Sequence, residues 1–333
     1  MSSQPPRPKT TPQTTFVGAR SAPYPAPKAS RPRFEIPGLL HGLAAVGDGI
    51  RLHYISAGNG EPVLLIPGWP QSWYAWRFVI PLLAAAGRRV IAVDPRGFGD
   101  SDKPETGYDL GTTAHDIHVL IEQLGLSEGR GVDIVSHDVG TWIAHAHAVE
   151  YPQDVRRLVV TDAHVPGVSP PPPVGYPDRL RNARSWHFGF NRIDGLPEVL
   201  IQGREREFLQ WFFGPSKMTR TWTIDADAFE EYLRVFSFPG AVRAGLNYYR
   251  EAFSADGMQR SAARCEQQLA MPILAVGGAD GDSDGLLHTM SQFSQDVTSI
   301  VYEGVGHHLP EECPEALVED ILAFWERKQI PLR

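Results

Sequence analysis

Short apolar runs that stop at turn residues alternate along this chain with longer stretches of helical spacing. Residues 50–56 alternate apolar and polar side chains, the pattern of a half-buried strand. Residues 63–66 form an apolar run that ends at Pro67-Gly68, and residues 89–93 another that ends at Asp94-Pro95. Between them, residues 73–86 carry apolar side chains three and four apart, which predicts a helix. Residues 113–124 predict a second helix stopping near Gly125, 132–135 a buried strand, and 141–151 a helix ended by Pro152. Residues 158–160, 273–276 and 299–302 read as further strands, and 315–328 as a closing amphipathic helix. Strands alternating with helices predict an α/β fold, a mostly parallel sheet covered on both faces. One stretch breaks the rhythm. The prolines at 170–173 punctuate the chain, and residues 178–262 are aromatic, charged and helix-like without a convincing strand. The pattern predicts a helical insertion over 166–262, between core segments 34–165 and 263–333.

Composition narrows the class. A 42% hydrophobic and 10% aromatic content is that of an ordinary soluble globular enzyme. No apolar run approaches the ~18 residues that a membrane span needs, so no membrane partner is expected. The net charge of −8 averages two unlike parts. Residues 1–33 hold eight prolines and six Lys/Arg but no acid, which leaves −14 on the remainder. Such a leader has too little apolar area to offset its ordering entropy and reads as a disordered tail. It lacks the apolar stretch of about 7–15 residues found in a secretory signal, so a cytoplasmic location is expected. An acidic body argues against nucleic acid as a partner. Two cysteines, Cys265 and Cys313, make neither a disulfide framework nor a cysteine-based metal site.

The most informative segment is Val132-Asp133-Ile134-Val135-Ser136-His137-Asp138-Val139-Gly140-Thr141-Trp142. A buried strand runs into a helix through a small-x-nucleophile-x-small turn, with Ser136 and Gly140 as the small residues. That is the nucleophile elbow, which needs small neighbours because the chain doubles back on itself. Its central residue here is Asp138. Ser136 does not fit the nucleophile position, since its own neighbours at that spacing are Ile134 and Asp138. An aspartate is already ionised at neutral pH and needs no base to activate it. It displaces a leaving group at saturated carbon and forms an alkyl-enzyme ester, which a histidine-activated water must then hydrolyse. The histidine is His307 in Gly304-Val305-Gly306-His307-His308-Leu309-Pro310, between the last predicted strand and the last helix; His308 is the competing choice.

These segments resemble an α/β-hydrolase of the epoxide hydrolase family from about residue 35 to 330. The stretch from Pro67-Gly68-Trp69-Pro70-Gln71-Ser72-Trp73 to Arg77 resembles the family's oxyanion-hole segment, and Asp94-Pro95-Arg96-Gly97-Phe98-Gly99-Asp100-Ser101-Asp102 the loop that follows. Pro67 stands where the family usually has histidine. The resemblance implies an α/β-hydrolase fold with an inserted helical cap. It further implies an oxyanion hole from the backbone N–H groups of Trp69 and Val139, a cis Trp69–Pro70 bond, and no cofactor or metal. The partners implied are a small-molecule epoxide and water.

The acid that orients His307 has two candidate sources. Asp280 and Asp282 follow the strand at 273–276, one usual place for it. Asp162 follows the strand at 158–160, in a segment that resembles a bacterial branch of epoxide hydrolases and fluoroacetate dehalogenases; Asp162 is the favoured reading. The Asp280 cluster begins like a calcium loop, but Ser291 stands where the closing glutamate is required. In the same bacterial branch, Trp-His-Phe and Tyr-Arg sequences carry the two groups that protonate the leaving oxygen. They match Trp186-His187-Phe188 and Tyr248-Tyr249-Arg250, which implies donors at His187 and Tyr249. Trp142, Trp186 and Phe188 are expected to line an apolar pocket. Haloalkane dehalogenases usually place tryptophan where Val139 stands, and fluoroacetate dehalogenases place arginine at the positions of Val139 and Trp142. An uncharged epoxide is therefore favoured over a halide. A dehalogenase with the same aspartate, or a catalytically silent binder on the same fold, are the alternatives.

Overall fold

The computed structural model describes residues 38–170, 175–214, 224–281, 283–294 and 296–326, without the side chains of residues 180, 283–285, 287 and 288. The expected leader at 1–33, the end of the last predicted helix and Asp282 lie outside the described residues.

Eight strands form one sheet: β1 (Leu40–Gly47), β2 (Ile50–Ala57), β3 (Glu61–Ile66), β4 (Arg88–Val93), β5 (Val132–His137), β6 (Val155–Thr161), β7 (Ile273–Gly278) and β8 (Val297–Tyr302). Their order is β1-β2-β4-β3-β5-β6-β7-β8. β1 pairs antiparallel with β2, and β2 with β4; every later pair is parallel. Helices α1 (Val79–Ala85), α2 (Leu110–Gln123) and α3 (Val139–Glu150) alternate with these strands, and α10 (Ser283–Phe293), α11 (Leu309–Glu312) and α12 (Pro314–Glu326) close the chain. Alternate side chains of a strand serve opposite faces. Val63 and Leu65 pack with Val79, Leu83, Leu317 and Ile321, whereas Leu64 and Ile66 pack with Ile117, Leu120 and Ile143. The continuous apolar runs of the sequence are strands buried on both sides.

Between β6 and β7 the described residues form six helices and no strand: α4 (Arg179–Phe190), α5 (Leu196–Ile201), α6 (Glu205–Phe212), α7 (Ala226–Phe236), α8 (Ala241–Ala252) and α9 (Ala255–Arg264). Two local details depart from the sequence pattern. The helix predicted over 73–86 is a short 3-10 turn, Trp73–Trp76, followed by α1. Pro81 is the cause: a continuous helix would drive its ring into the carbonyl of Arg77, while at the third position of α1 its missing N–H costs nothing. The strand β1 was not predicted, because it lies at the sheet edge with most of its residues exposed or half-exposed. A two-residue turn joins it to β2, with Asp48 at φ 51 and Gly49 at φ 75. That geometry favours Asp-Gly in tight hairpins.

Helix α3 is buried from Val139 to Val149 and carries two histidines into that interior. Burial, followed by the charge of Arg264, pushes His145 down to about 4. Burial lowers His147 as well, although its Nδ1–H donates to the Ala114 carbonyl. Both rings are neutral in the fold but take protons near pH 6.5 once unfolded. Their contribution is therefore present above that pH and lost as pH falls towards 4. For His145 it amounts to about 3 kcal/mol. Urea unfolding should show stability falling across this window, and His145→Gln should flatten the fall.

Candidate active site

The sheet builds the site at the C-terminal ends of its central strands. β5 ends at His137, and α3 begins at Val139. Asp138, alone between them, has φ 49 and ψ −121. A side chain in this region costs about 1–3 kcal/mol unless its surroundings hold it there. Here the Asp138 N–H donates to the Thr161 carbonyl at 3.2 Å, and its own carbonyl accepts from the Thr141 N–H at 2.9 Å. Small neighbours make the turn possible. A Cβ on Gly140 would lie 2.5 Å from the Ile66 carbonyl oxygen, and one on Gly68 would lie 2.5 Å from the Asp138 Cβ. The loop after β3 can therefore rest directly on the turn. Its Trp69–Pro70 bond is cis, and the Trp69 N–H donates to Asp138 Oδ1 at 3.0 Å. Val139 is fully buried at the first position of α3, where a helix leaves its N–H without an intrahelical acceptor.

His307 follows β8. Its Nδ1 lies 2.6 Å from Asp162 Oδ2, and its Nε2 faces Asp138 Oδ2 at 3.6 Å. A carboxylate only accepts, so Nδ1 carries a proton and turns Nε2 towards Asp138. Asp162 is fully buried at the end of β6, with φ 37, and its Oδ1 accepts from the Gly278 N–H at 3.3 Å. A Cβ on Gly281 would lie 2.4 Å from that carboxylate. Asp162 meets His307 at hydrogen-bond distance, and the Asp280 N–H donates to the Val305 carbonyl in the neighbouring loop.

The helices between β6 and β7 supply the opposite wall. Tyr249 on α8 and His187 on α4 are both buried, with ring centroids 5.7 Å apart. Trp69, Trp142 and Phe188 pack around Tyr249 at 5.3–5.9 Å. Burial, and then the negative charge of Asp138, hold the Tyr249 phenol well above its usual range, so it keeps its proton. Trp186 packs mainly against Phe190, Phe208 and Trp211 and reaches this group through the His187 ring.

One network gave no sign in the sequence. Glu311, on α11 four residues after His307, accepts from Gln71 Nε2 at 2.8 Å, from Arg77 Nη2 at 2.8 Å and from the Tyr232 hydroxyl. The same Arg77 Nη2 reaches Asp225, which caps α7, at 2.8 Å. The neighbouring Glu312 accepts the Gly306 and His308 N–H groups at 2.8 and 2.9 Å and so clamps the histidine loop. These residues are ordinary types scattered over 240 positions, with no local spacing to betray them. Asp94 was visible only as part of a loop motif. It is fully buried and accepts from the N–H groups of Trp73 and Asp100 and from His53 Nδ1, tying that loop to the start of the Trp73–Trp76 turn.

Parallel strands, a strained aspartate turn and a histidine after the last strand define an α/β-hydrolase, and residues 61–314 match the alpha/beta hydrolase fold family. The chain is 33% identical over 290 residues to a soluble epoxide hydrolase of Corynebacterium sp. (strain C12), which covers 84% of this chain and 96% of that one. It is 29% identical over 297 residues to epoxide hydrolase 1 of Caenorhabditis elegans, covering 84% and 69%. Among solved structures, Cfl2 of Burkholderia cenocepacia superposes with a TM-score of 0.81 at 37% identity, covering 90% and 99%. The epoxide hydrolase CorEH does so with a TM-score of 0.75 at 31% identity, covering 86% and 98%. Within the α/β-hydrolases this chain belongs to the epoxide hydrolase family, and it is a hydrolase acting on ether bonds. Among the described residues, no helix is long and apolar enough to cross a membrane.

Removing Glu311 would leave the buried Arg77 with half of its compensation. Glu311→Ala should therefore cost about 3–5 kcal/mol of stability, measured by urea unfolding. Glu311→Gln, which keeps an acceptor for Gln71, should cost less.

Proposed function

We propose that this protein opens an uncharged epoxide to a vicinal diol in two steps, with Asp138 as nucleophile and residues 166–262 acting as a cap over the site. The observation that carries the reading is the Asp138 carboxylate facing His307 Nε2 at 3.6 Å, with Tyr249 near enough for the Asp138 charge to help keep its phenol protonated. In the first step one Asp138 oxygen attacks an epoxide carbon and the ring C–O bond breaks. The oxygen leaves as an alkoxide, protonated with the help of Tyr249 and His187. An epoxide needs such donors because an unassisted alkoxide is a poor leaving group.

In the second step His307 Nε2 takes a proton from water, whose oxygen attacks the carbonyl carbon of the Asp138 ester. Asp162 fixes the tautomer and stabilises the imidazolium that forms. The Trp69 N–H, already 3.0 Å from Asp138 Oδ1, is placed for the oxyanion of this step, and the Val139 N–H at the helix start is its partner. Collapse releases the diol with an Asp138 oxygen and leaves the water oxygen on the carboxylate. The apolar walls formed by Trp69, Trp142 and Phe188 favour an uncharged substrate.

A single turnover of styrene oxide in heavy-oxygen water should label Asp138; an unlabelled Asp138 refutes the ester. Halide release from chloroalkanes or fluoroacetate without diol formation from epoxides would favour a dehalogenase instead. Asp162→Asn should lower turnover on the order of 10⁴-fold and let the ester accumulate in rapid-quench samples. Tyr249→Phe should slow ester formation by about 10²- to 10³-fold, the loss typical of one well-placed donor.

A further inference from the structure

The residue before the nucleophile, His137, has no part in the two steps above, yet its ring is oriented with care. It is 1% exposed. Its Nδ1 lies 3.3 Å from the Thr161 carbonyl oxygen, which can only accept, and 3.0 Å from Thr161 Oγ1, whose own proton goes to the Ser136 carbonyl. Nδ1 therefore carries the ring proton, and Nε2 is left with a lone pair. That lone pair is sealed from solvent and accepts no hydrogen bond. Burial, with the neighbouring His307 second, keeps His137 well below the ordinary histidine range, so the lone pair persists.

Two further imidazoles stand beside it. The His137 and His307 centroids are 4.6 Å apart, His307 and His308 5.0 Å, and His137 and His308 6.2 Å. One ring nitrogen from each of the three lies within 4.8 Å of the others. Nitrogen ligands on one zinc ion, with bonds of about 2.0–2.1 Å, lie about 3.3 Å apart, so shifts of roughly an ångström bring three such nitrogens onto one ion. Neutral imidazole is the commonest protein ligand for borderline-soft divalent cations. We propose that His137, His307 and His308 form a binding site for such a cation, represented by Zn²⁺, and that its occupation switches the enzyme off. Both nitrogens of His307 already have tasks, Nδ1 on Asp162 and Nε2 facing Asp138. Whichever one the ion takes, one of the two pairings that the histidine needs is broken.

The test titrates the chelator-treated full chain with Zn²⁺ and, separately, with Co²⁺. One ion should bind per chain, the cobalt form should show the intense visible bands of a low-coordination nitrogen site, and a chelator should reverse both. His308→Phe places an apolar ring beside Phe213, 5.5 Å away. It should keep the native circular dichroism and lose more than the about 10- to 100-fold in Zn²⁺ affinity that removal of an outer-shell partner costs. If it does not fold, His308→Gln serves the same purpose. Asp100→Asn, aimed at the second cluster of possible ligands, His53, Asp94 and Asp100, should leave Zn²⁺ binding unchanged. Absence of stoichiometric binding, binding that survives both His308 variants, or binding lost in Asp100→Asn overturns the site. These measurements use no epoxide, so their outcome is separate from the reading of the reaction. In a turnover assay Zn²⁺ should inhibit the parent enzyme to completion; unchanged turnover at full occupancy overturns the switch.

Discussion

A single residue held at positive φ organises this molecule. Asp138 has no helical or strand geometry of its own, yet β5 ends on it and α3 starts from it. Holding a side chain in that conformation requires neighbours that leave no alternative. The sheet provides them: Thr161 at the end of β6 receives its N–H, and the loop after β3 presses on it from above, where Gly68 and Gly140 leave room. Three adjacent strands, β3, β5 and β6, thus converge on one turn. The strain keeps the carboxylate raised above the strand ends, where a side chain in ordinary strand geometry would be buried within a layer.

A second constraint sets the charges. Asp162 also has positive φ and is fully buried, with His307 and the Gly278 N–H as its described hydrogen-bond partners. An unpaired carboxylate in that position would be costly, so the His307–Asp162 contact serves folding as well as orientation. The two aspartates differ in access. Asp138 keeps some exposure, while Asp162 is sealed under Gly281. The two carboxyl groups are chemically the same, and burial separates their environments.

The sequence was legible where chemistry demands particular residues close together along the chain. The aspartate elbow and the two-glycine stretch around His307 are local, so spacing exposed them. The apolar strands were legible because burial on both faces leaves no polar alternation to misread. Three things were hidden. The edge strand β1 has little buried surface and so a weak pattern, although Asp48-Gly49 marked the hairpin. The break before α1 depended on a single proline inside an otherwise helical stretch. The Glu311 network joins residues from three distant segments, and nothing local distinguishes Gln71, Arg77 or Tyr232 from ordinary polar positions. Asp162 lay between these cases: it had the right place in the chain, but only the folded sheet brings it to His307.

The Glu311 network also sets a limit on modularity. Helices α4 to α9 look like a part that could be exchanged between hydrolases, since they enter and leave the sheet between β6 and β7. Their buried polar side chains say otherwise. Asp225 and Tyr232 would travel with such a graft, while Arg77, Gln71 and Glu311 would stay behind, each half of an ion pair or hydrogen bond sealed from water. A chimera made at the strand ends would thus carry mismatched charge at the seam, four residues from His307. Homologous helices can be exchanged only together with the loop after β3 and the start of α11, which makes the unit that must be inherited together larger than the helices themselves.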